Sequence, residues 1–145
     1  MLIWSLWLGG LIALFIAVTS LFGTFAADHT LAGVAASGIF WRFNRYQLVL
    51  AALALIGSFA WRVASGKTSV TVLFSCFALA SFAAIIVAGI IIPRLESLRL
   101  EHLTQTPEFA KLHGISMLIY LAEVLCLLIG GLILPTLIRG TTGTP

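Results

Sequence analysis

Residues 70–94 decide the fold class of this chain, and they read VTVLFSCFALASFAAIIVAGIIIPR. No charged side chain interrupts residues 70–92, and Pro93 and Arg94 close the run. About 20 consecutive apolar residues cross the hydrocarbon core of a bilayer as a helix. The run therefore predicts a transmembrane α-helix, because a chain in lipid must satisfy its backbone hydrogen bonds internally.

Three further apolar runs accompany this one. They cover residues 2–27, 46–61 and 115–138, and Glu123 is the only charged residue inside them. The four runs predict an all-α fold, an integral membrane four-helix bundle. We expect a single domain over residues 1–139 and a disordered tail at 140–145, where the sequence is rich in Gly and Thr.

The amino-acid composition is also that of a membrane protein. Of 145 residues, 61% are hydrophobic and 9% are charged, whereas soluble domains carry about 25% charged residues. The chain has eight basic and five acidic residues, but the basic residues are scattered singly and form no patch. A nucleic-acid partner is therefore excluded, and the lipid bilayer is the first partner that the sequence predicts.

The segment between the first two runs is apolar as well. Residues 30–43 are rich in small side chains and turn basic at Arg42. This pattern predicts a short interfacial helix between helices 1 and 2. The alternative is that the segment forms the extramembrane start of a long second helix.

The third helix is predicted to continue beyond Pro93. Leu95, Leu98 and Leu103 keep a helical spacing after the proline. Thr106 then offers an N-cap side chain, with Pro107 at the first helical position. The fourth helix is therefore expected to begin outside the membrane, near Pro107.

Basic residues predict the orientation of the bundle. We call the membrane face that holds the N-terminus face A and the opposite face B. Face A carries Arg62, Lys67 and Arg139. Face B carries Arg42, Arg45, Arg94, Arg99 and Lys111. The positive-inside rule places face B in the cytoplasm and both termini outside. The first run lacks the basic start of a signal peptide, so we expect it to be retained.

Two patterns predict how the helices meet lipid and each other. The tryptophans at positions 4, 7, 41 and 61 lie near the ends of apolar runs, which fits an aromatic belt. Ala80, Ala84 and Ala88 repeat every four residues, and such small side chains allow close helix packing within the chain. Cys76 and Cys126 lie inside apolar runs and are expected to be apolar packing residues without a disulfide.

Glu123 is the sharpest chemical feature of the sequence. A carboxylate inside a membrane helix is costly, so it should face the bundle and have a partner. His113, Ser116 and Tyr120 fall on the same side of the helix and form an intramembrane polar stripe with it. One interpretation is a path for a proton, an ion or a ligand. The other is a neutral Glu123 that bonds to a neighbouring helix and locks the fold.

A second candidate site lies on face B, where polar residues from several loops meet. It would bind a partner, an ion or an anionic lipid head group, because basic residues beside a membrane favour such head groups. Its predicted members are Asp28, His29, Arg94, Arg99, His113 and Ser116.

No cofactor is predicted outright. His29 and His113 are weak candidates for haem or copper ligation, and a small haem-, quinone- or copper-binding redox subunit is an alternative function. No nucleophile stands near a base at a recognisable spacing, which favours a non-enzymatic protein. A third possibility is an accessory subunit that forms a homo-oligomer or joins a larger membrane complex.

Three short motifs resemble a known family. They are AGVAASGIFWRF at 32–43, PRLESLR at 93–99 and FAKLHGIS at 109–116. With them the chain is similar, over about residues 5–135, to DUF4149, a group of small bacterial four-helix membrane proteins related to transmembrane protein 205. The family often has a proline where helix 1 ends, whereas this chain reads AADH at 26–29.

The resemblance implies a four-span protein of the bacterial cytoplasmic (inner) membrane. It also implies a shared site at Pro93, Arg99, His113 and Ser116. The function that we expect is that of a non-enzymatic multi-pass protein with a transport- or stress-associated role.

Overall fold

The computed structural model describes residues 1–142, which form four helices. These are α1 (Leu2–Thr24), α2 (His29–Ser65), α3 (Thr68–Leu100) and α4 (Pro107–Thr142). Each is long and apolar enough to cross a membrane, and the described residues include no strand. The predicted all-α membrane bundle with four spans is confirmed.

Helix α2 corrects the prediction of a separate interfacial helix. Residues 30–43 are the first part of one continuous helix from His29 to Ser65, as in the alternative that the sequence left open. Asp28 caps its start, because the carboxylate accepts a hydrogen bond of 2.9 Å from the backbone N–H of Leu31. The segment contains no proline, so nothing breaks the helix before Gly66, whose φ of 61° ends it.

Helix α3 continues past Pro93, as predicted. Its two α-helical segments, Thr68–Ile86 and Ile92–Leu100, are joined by a π-helical turn at Val87–Ile91. Proline has no N–H and clashes with the carbonyl four residues earlier. The wider π turn just before Pro93 accommodates this lost bond without ending the helix.

Helix α4 begins as the sequence predicts. The Thr106 hydroxyl accepts a hydrogen bond of 3.3 Å from the N–H of Phe109, which caps the first turn. The helix continues through residue 142, so residues 140–142 are helical where the sequence predicted a disordered tail. The rest of that predicted tail, 143–145, lies outside the described residues.

The four helices form a ring in chain order. Helix α1 packs against α2 and α4, and α3 packs against the same two helices from the opposite corner. Ala80 and Ala84 are fully buried, so this part of the small-residue stripe packs inside the chain. Trp7, Gln47 and Glu123 are fully buried as well, and they bring polar atoms into the centre of the ring.

A buried carboxyl network at Glu123

Glu123 of α4 is bonded to two other helices. The indole Nε1 of Trp7 in α1 donates a hydrogen bond of 2.7 Å to its Oε1 atom. The amide Nε2 of Gln47 in α2 donates a longer one of 3.4 Å to Oε2. All three side chains have 0% of their surface exposed. The carboxyl group therefore ties α1, α2 and α4 together at one level of the bundle.

A second polar pair lies one turn away on the same two helix faces. The Tyr120 hydroxyl donates to Oδ1 of Asn44 at 3.3 Å, and the Asn44 amide donates to the Phe40 carbonyl at 2.9 Å. Tyr120 and Glu123 are three residues apart, and so are Asn44 and Gln47, which is the spacing of neighbours on one helix face. The two pairs together form a polar layer between α2 and α4.

One atom of this layer has no partner. The Oε1 atom of Gln47 is buried and makes no hydrogen bond, although buried polar atoms are nearly always bonded. An ionised carboxylate only accepts hydrogen bonds, whereas a protonated one also donates. The Gln47 amide can serve both forms, because it offers a donor in one orientation and an acceptor after a half-turn.

Within the described residues Glu123 makes no ion pair. The two salt bridges found there join Arg94 to Glu108, at 2.8 Å, and Arg99 to Glu96. Both lie near the face-B ends of α3 and α4. The partners of Glu123 are neutral donors, so nothing in the described network offsets a full negative charge on its carboxyl group.

Two of the tryptophans are not the aromatic belt that the sequence predicted. Trp7 is fully buried. The indole of Trp4 donates a hydrogen bond of 2.6 Å to the Leu127 carbonyl of α4. Trp41, in contrast, is 51% exposed, and the Arg45 guanidinium lies over its ring at 4.9 Å. Position near the end of an apolar run did not distinguish a lipid-facing indole from one that donates into the core.

Among the described side chains, no hydrogen bond or ion pair links Asp28, Arg94 and Arg99 to one another. Asp28 is used as the N-cap of α2. Arg94 is paired with Glu108, and Arg99 is paired with Glu96 within its own helix. These arginines are neutralised locally.

The two predicted residues at the start of α4 also have local partners. The His113 ring stacks on Phe109, with the planes 4° apart and the centroids 6.2 Å apart. The Ser116 hydroxyl donates to the His113 carbonyl at 2.7 Å. Of the predicted polar stripe, only Tyr120 and Glu123 reach another helix through a described side-chain hydrogen bond.

The described side chains show no group of three or more His, Cys, Asp or Glu that could hold a metal ion. The side chain of His29 is outside the described ones, so haem or copper ligation by His29 and His113 stays a prediction. Cys76 and Cys126 are free thiols.

Three members of the network were missed at the sequence level. Trp7 was assigned to the belt, while Asn44 and Gln47 were not singled out. The available signal was the spacing of Asn44 and Gln47, two amides three residues apart beside an apolar run. That spacing predicts a polar helix face, and a polar face in a membrane helix points to the bundle interior.

The fold and this network define a class: a multi-pass, all-helical membrane protein with a carboxyl group enclosed among its helices. The chain matches DUF4149, a domain of unknown function, over residues 2–104. This is more than half of its length, and the protein belongs to that family. No curated protein and no solved structure matches it. The matched part includes Trp7, Asn44 and Gln47 but ends before α4, which carries Glu123.

Proposed function

We propose that this protein is a non-enzymatic, transport-associated membrane protein in which Glu123 binds and releases a proton inside the bundle. The observation that carries the proposal is the fully buried carboxyl group, bonded by the neutral donors of Trp7 and Gln47. Ionisable residues within membrane helices commonly mark proton or ion paths. The donors of Trp7 and Gln47 suit an ionised carboxylate and the free acceptor of Gln47 suits a protonated one, so the network fits both states.

The network accommodates both states with small movements. In the ionised state, Oε1 of Glu123 accepts a hydrogen bond from Trp7, and Oε2 of Glu123 accepts one from the Gln47 amide nitrogen. When Oε2 of Glu123 is protonated, it becomes a hydrogen-bond donor. A half-turn of the Gln47 amide then brings Oε1 of Gln47 into position to accept that hydrogen bond. Only the hydrogen bond between Gln47 and Glu123 reverses its direction, and the Trp7 bond to Glu123 remains in place.

Trp7 provides the reporter for a test. Its indole touches the carboxyl at 2.7 Å, so its fluorescence should change when Glu123 gains or loses a proton. In a Trp4→Phe, Trp41→Phe, Trp61→Phe background, we expect a pH-dependent emission shift with one titration step. Glu123→Gln should abolish the step while the protein stays folded, because Gln mimics the protonated carboxyl in shape and keeps an acceptor for Trp7.

Glu108→Gln is the matched control for that experiment. Glu108 lies on the same helix and pairs with Arg94 at an exposed position, so its removal should leave the titration step unchanged. A step that survives in Glu123→Gln would contradict the proposal. Emission that does not vary with pH in the parent protein would favour the purely structural interpretation of Glu123.

The redox alternative has its own test. We expect the visible spectrum of the purified protein to contain no band that shifts between the oxidised and dithionite-reduced states. A Soret band that shifts on reduction would contradict this expectation and would make the protein a cytochrome-like subunit. His29→Ala and His113→Ala would then identify the ligands.

A face-B partner site receives less support from the structure. Arg94 and Arg99 would have to give up Glu108 and Glu96 before they could bind an anionic head group. A buried carboxyl network, in contrast, needs no rearrangement of other ion pairs to function. We therefore propose that the functional site is at Glu123 and not at the membrane surface.

A further inference from the structure

A groove runs along the surface of α2 on the face-B side of the Glu123 layer. Its volume is about 510 Å³, and all of its lining residues belong to α2. Most of the lining is apolar, and one guanidinium is the only charged group among the lining residues. The principal lining residues are Val34, Gly38, Ile39, Arg42, Phe43 and Tyr46. A Cβ added at Gly38 would meet nothing within 4 Å, so the groove is open at this point.

Arg42 lies at a depth where the neighbouring helix is apolar. A Cβ at Gly10 of α1 would lie 3.2 Å from the Phe43 ring, which places Arg42 level with this part of α1. From Gly10 to Thr24, α1 contains no charged residue. Phe15 in this stretch is 61% exposed, as a side chain that faces lipid would be. The exposed Arg42 side chain therefore belongs to the membrane-spanning part of the bundle.

Among the described residues, Arg42 makes no ion pair and lies over no aromatic ring. The other arginine side chains that the structure describes all have such a partner. Arg94 and Arg99 pair with carboxylates, and Arg45 and Arg62 lie over aromatic rings. A charged side chain at membrane depth is costly and is almost always paired. The groove thus presents one positive charge that needs an anion.

The five acidic residues of the chain are already engaged. Each of them accepts a hydrogen bond from another group of the same chain. A second copy of this protein therefore offers no unengaged carboxylate to Arg42. Phospholipids supply the anions of a bilayer, and basic residues beside the membrane attract their head groups.

The direction of the Arg42 side chain fits a phosphate near the membrane surface. Side chains on a helix tilt toward its N-terminus, and the N-terminus of α2 lies at face B. The guanidinium is therefore carried from the depth of its own Cα toward Gly38, one turn nearer to face B. Long basic side chains reach the head-group level in this way while their stems stay in lipid.

We propose that this groove binds an anionic phospholipid whose phosphate pairs with Arg42. The phosphate occupies the open space beside Gly38, and an acyl chain of the same lipid extends along Phe43 and Tyr46 toward the bilayer centre. The groove matches this occupant at both ends, because one positive charge meets one negative charge and apolar walls meet hydrocarbon. Binding does not involve Glu123, so the site is independent of the proposed function.

The test compares two lipids that have the same acyl chains and a different net charge. The detergent-purified protein is titrated with phosphatidylglycerol or with phosphatidylcholine, and native mass spectrometry counts the bound lipids. We expect the parent protein to bind phosphatidylglycerol more tightly. Arg42→Gln should weaken the binding of phosphatidylglycerol about fivefold, which is the effect of one basic residue on an anionic lipid. The binding of phosphatidylcholine should not change.

Arg45→Gln is the matched control for the loss of charge. Arg45 is three residues away, but its guanidinium lies over Trp41 and it does not line the groove. Its replacement should leave the affinity for phosphatidylglycerol unchanged. Gly38→Leu fills the groove without a change of charge and should weaken binding. Gly33→Leu should not, because its side chain also starts in open space but lies outside the groove.

Equal affinity of the parent and Arg42→Gln for phosphatidylglycerol would overturn the proposal. So would a loss in Arg45→Gln as large as that in Arg42→Gln, or a parent protein that binds the two lipids equally. Far-ultraviolet circular dichroism of each variant verifies that the helices are intact.

Discussion

Gly131→Ala lowers the free energy of unfolding by about 1–3 kcal/mol, the usual cost of adding a methyl group to a filled core. A Cβ at Gly131 would lie 2.2 Å from Cζ2 of Trp4. The indole cannot simply rotate away, because its Nε1 is held by the hydrogen bond to Leu127. The variant must therefore move Trp4, break that bond and loosen the contact of α1 with α4. Alanine's better helix propensity, worth about 1 kcal/mol, offsets only part of this cost.

The neighbouring Gly130 provides the control for this substitution. A Cβ there would lie 3.4 Å from Cδ1 of Leu73 and 3.5 Å from Cε1 of Phe77, which is ordinary contact. Gly130→Ala should therefore leave stability unchanged or raise it by up to about 1 kcal/mol. Both variants are measured by denaturant unfolding in mixed micelles. Equal stability of the two variants would show that Trp4 does not occupy the described position.

Trp7→Phe is the second substitution with a large expected effect. It removes the 2.7 Å hydrogen bond to Glu123 and leaves a buried carboxyl oxygen without its donor. Leaving a buried polar group unsatisfied costs about 1–3 kcal/mol. We expect a loss of stability in this range, measured by the same unfolding assay, with the helical circular dichroism signal retained at low denaturant.

A double-mutant cycle separates the lost hydrogen bond from lost packing. A Glu123→Leu background lacks the hydrogen-bond acceptor. Trp7→Phe should therefore lower the free energy of unfolding by clearly less there than in the parent protein. Trp41→Phe, at a half-exposed position, should be close to neutral in both backgrounds. Identical costs of Trp7→Phe with and without Glu123 would assign its whole effect to packing and would contradict the network.

The course of α2 shows where local sequence was insufficient. Composition alone assigned residues 30–43 to a short helix at the interface, since apolar and basic residues follow each other there. Helix α2 is instead continuous from His29 to Ser65. Its first part packs against α1: a Cβ at Gly10 would meet the Phe43 and Tyr46 rings within about 3.2 Å. Whether a helical segment stays in line with the next one depends on such contacts.

Glu123 shows the opposite case. One carboxyl in an uncharged run must be enclosed and bonded, because lipid offers it no partner. Its burial was therefore predictable from a single position. Its partners were not, because Trp7 and Gln47 are separated from it by 116 and 76 residues. Several polar residues were candidates at the sequence level, and only the ring arrangement of α1, α2 and α4 selected these two.

The sequence by itself determined the class of this protein: four membrane helices, a third helix that continues past Pro93, and an enclosed Glu123. These properties follow from how apolar length, capping residues and charge behave in lipid, and each is local to one segment. Tertiary structure alone decided that Trp4 and Trp7 donate hydrogen bonds into the bundle and that Gln47 meets Glu123. Those features depend on the relative register of the helices, and register is set by side-chain packing between segments that are distant in the chain.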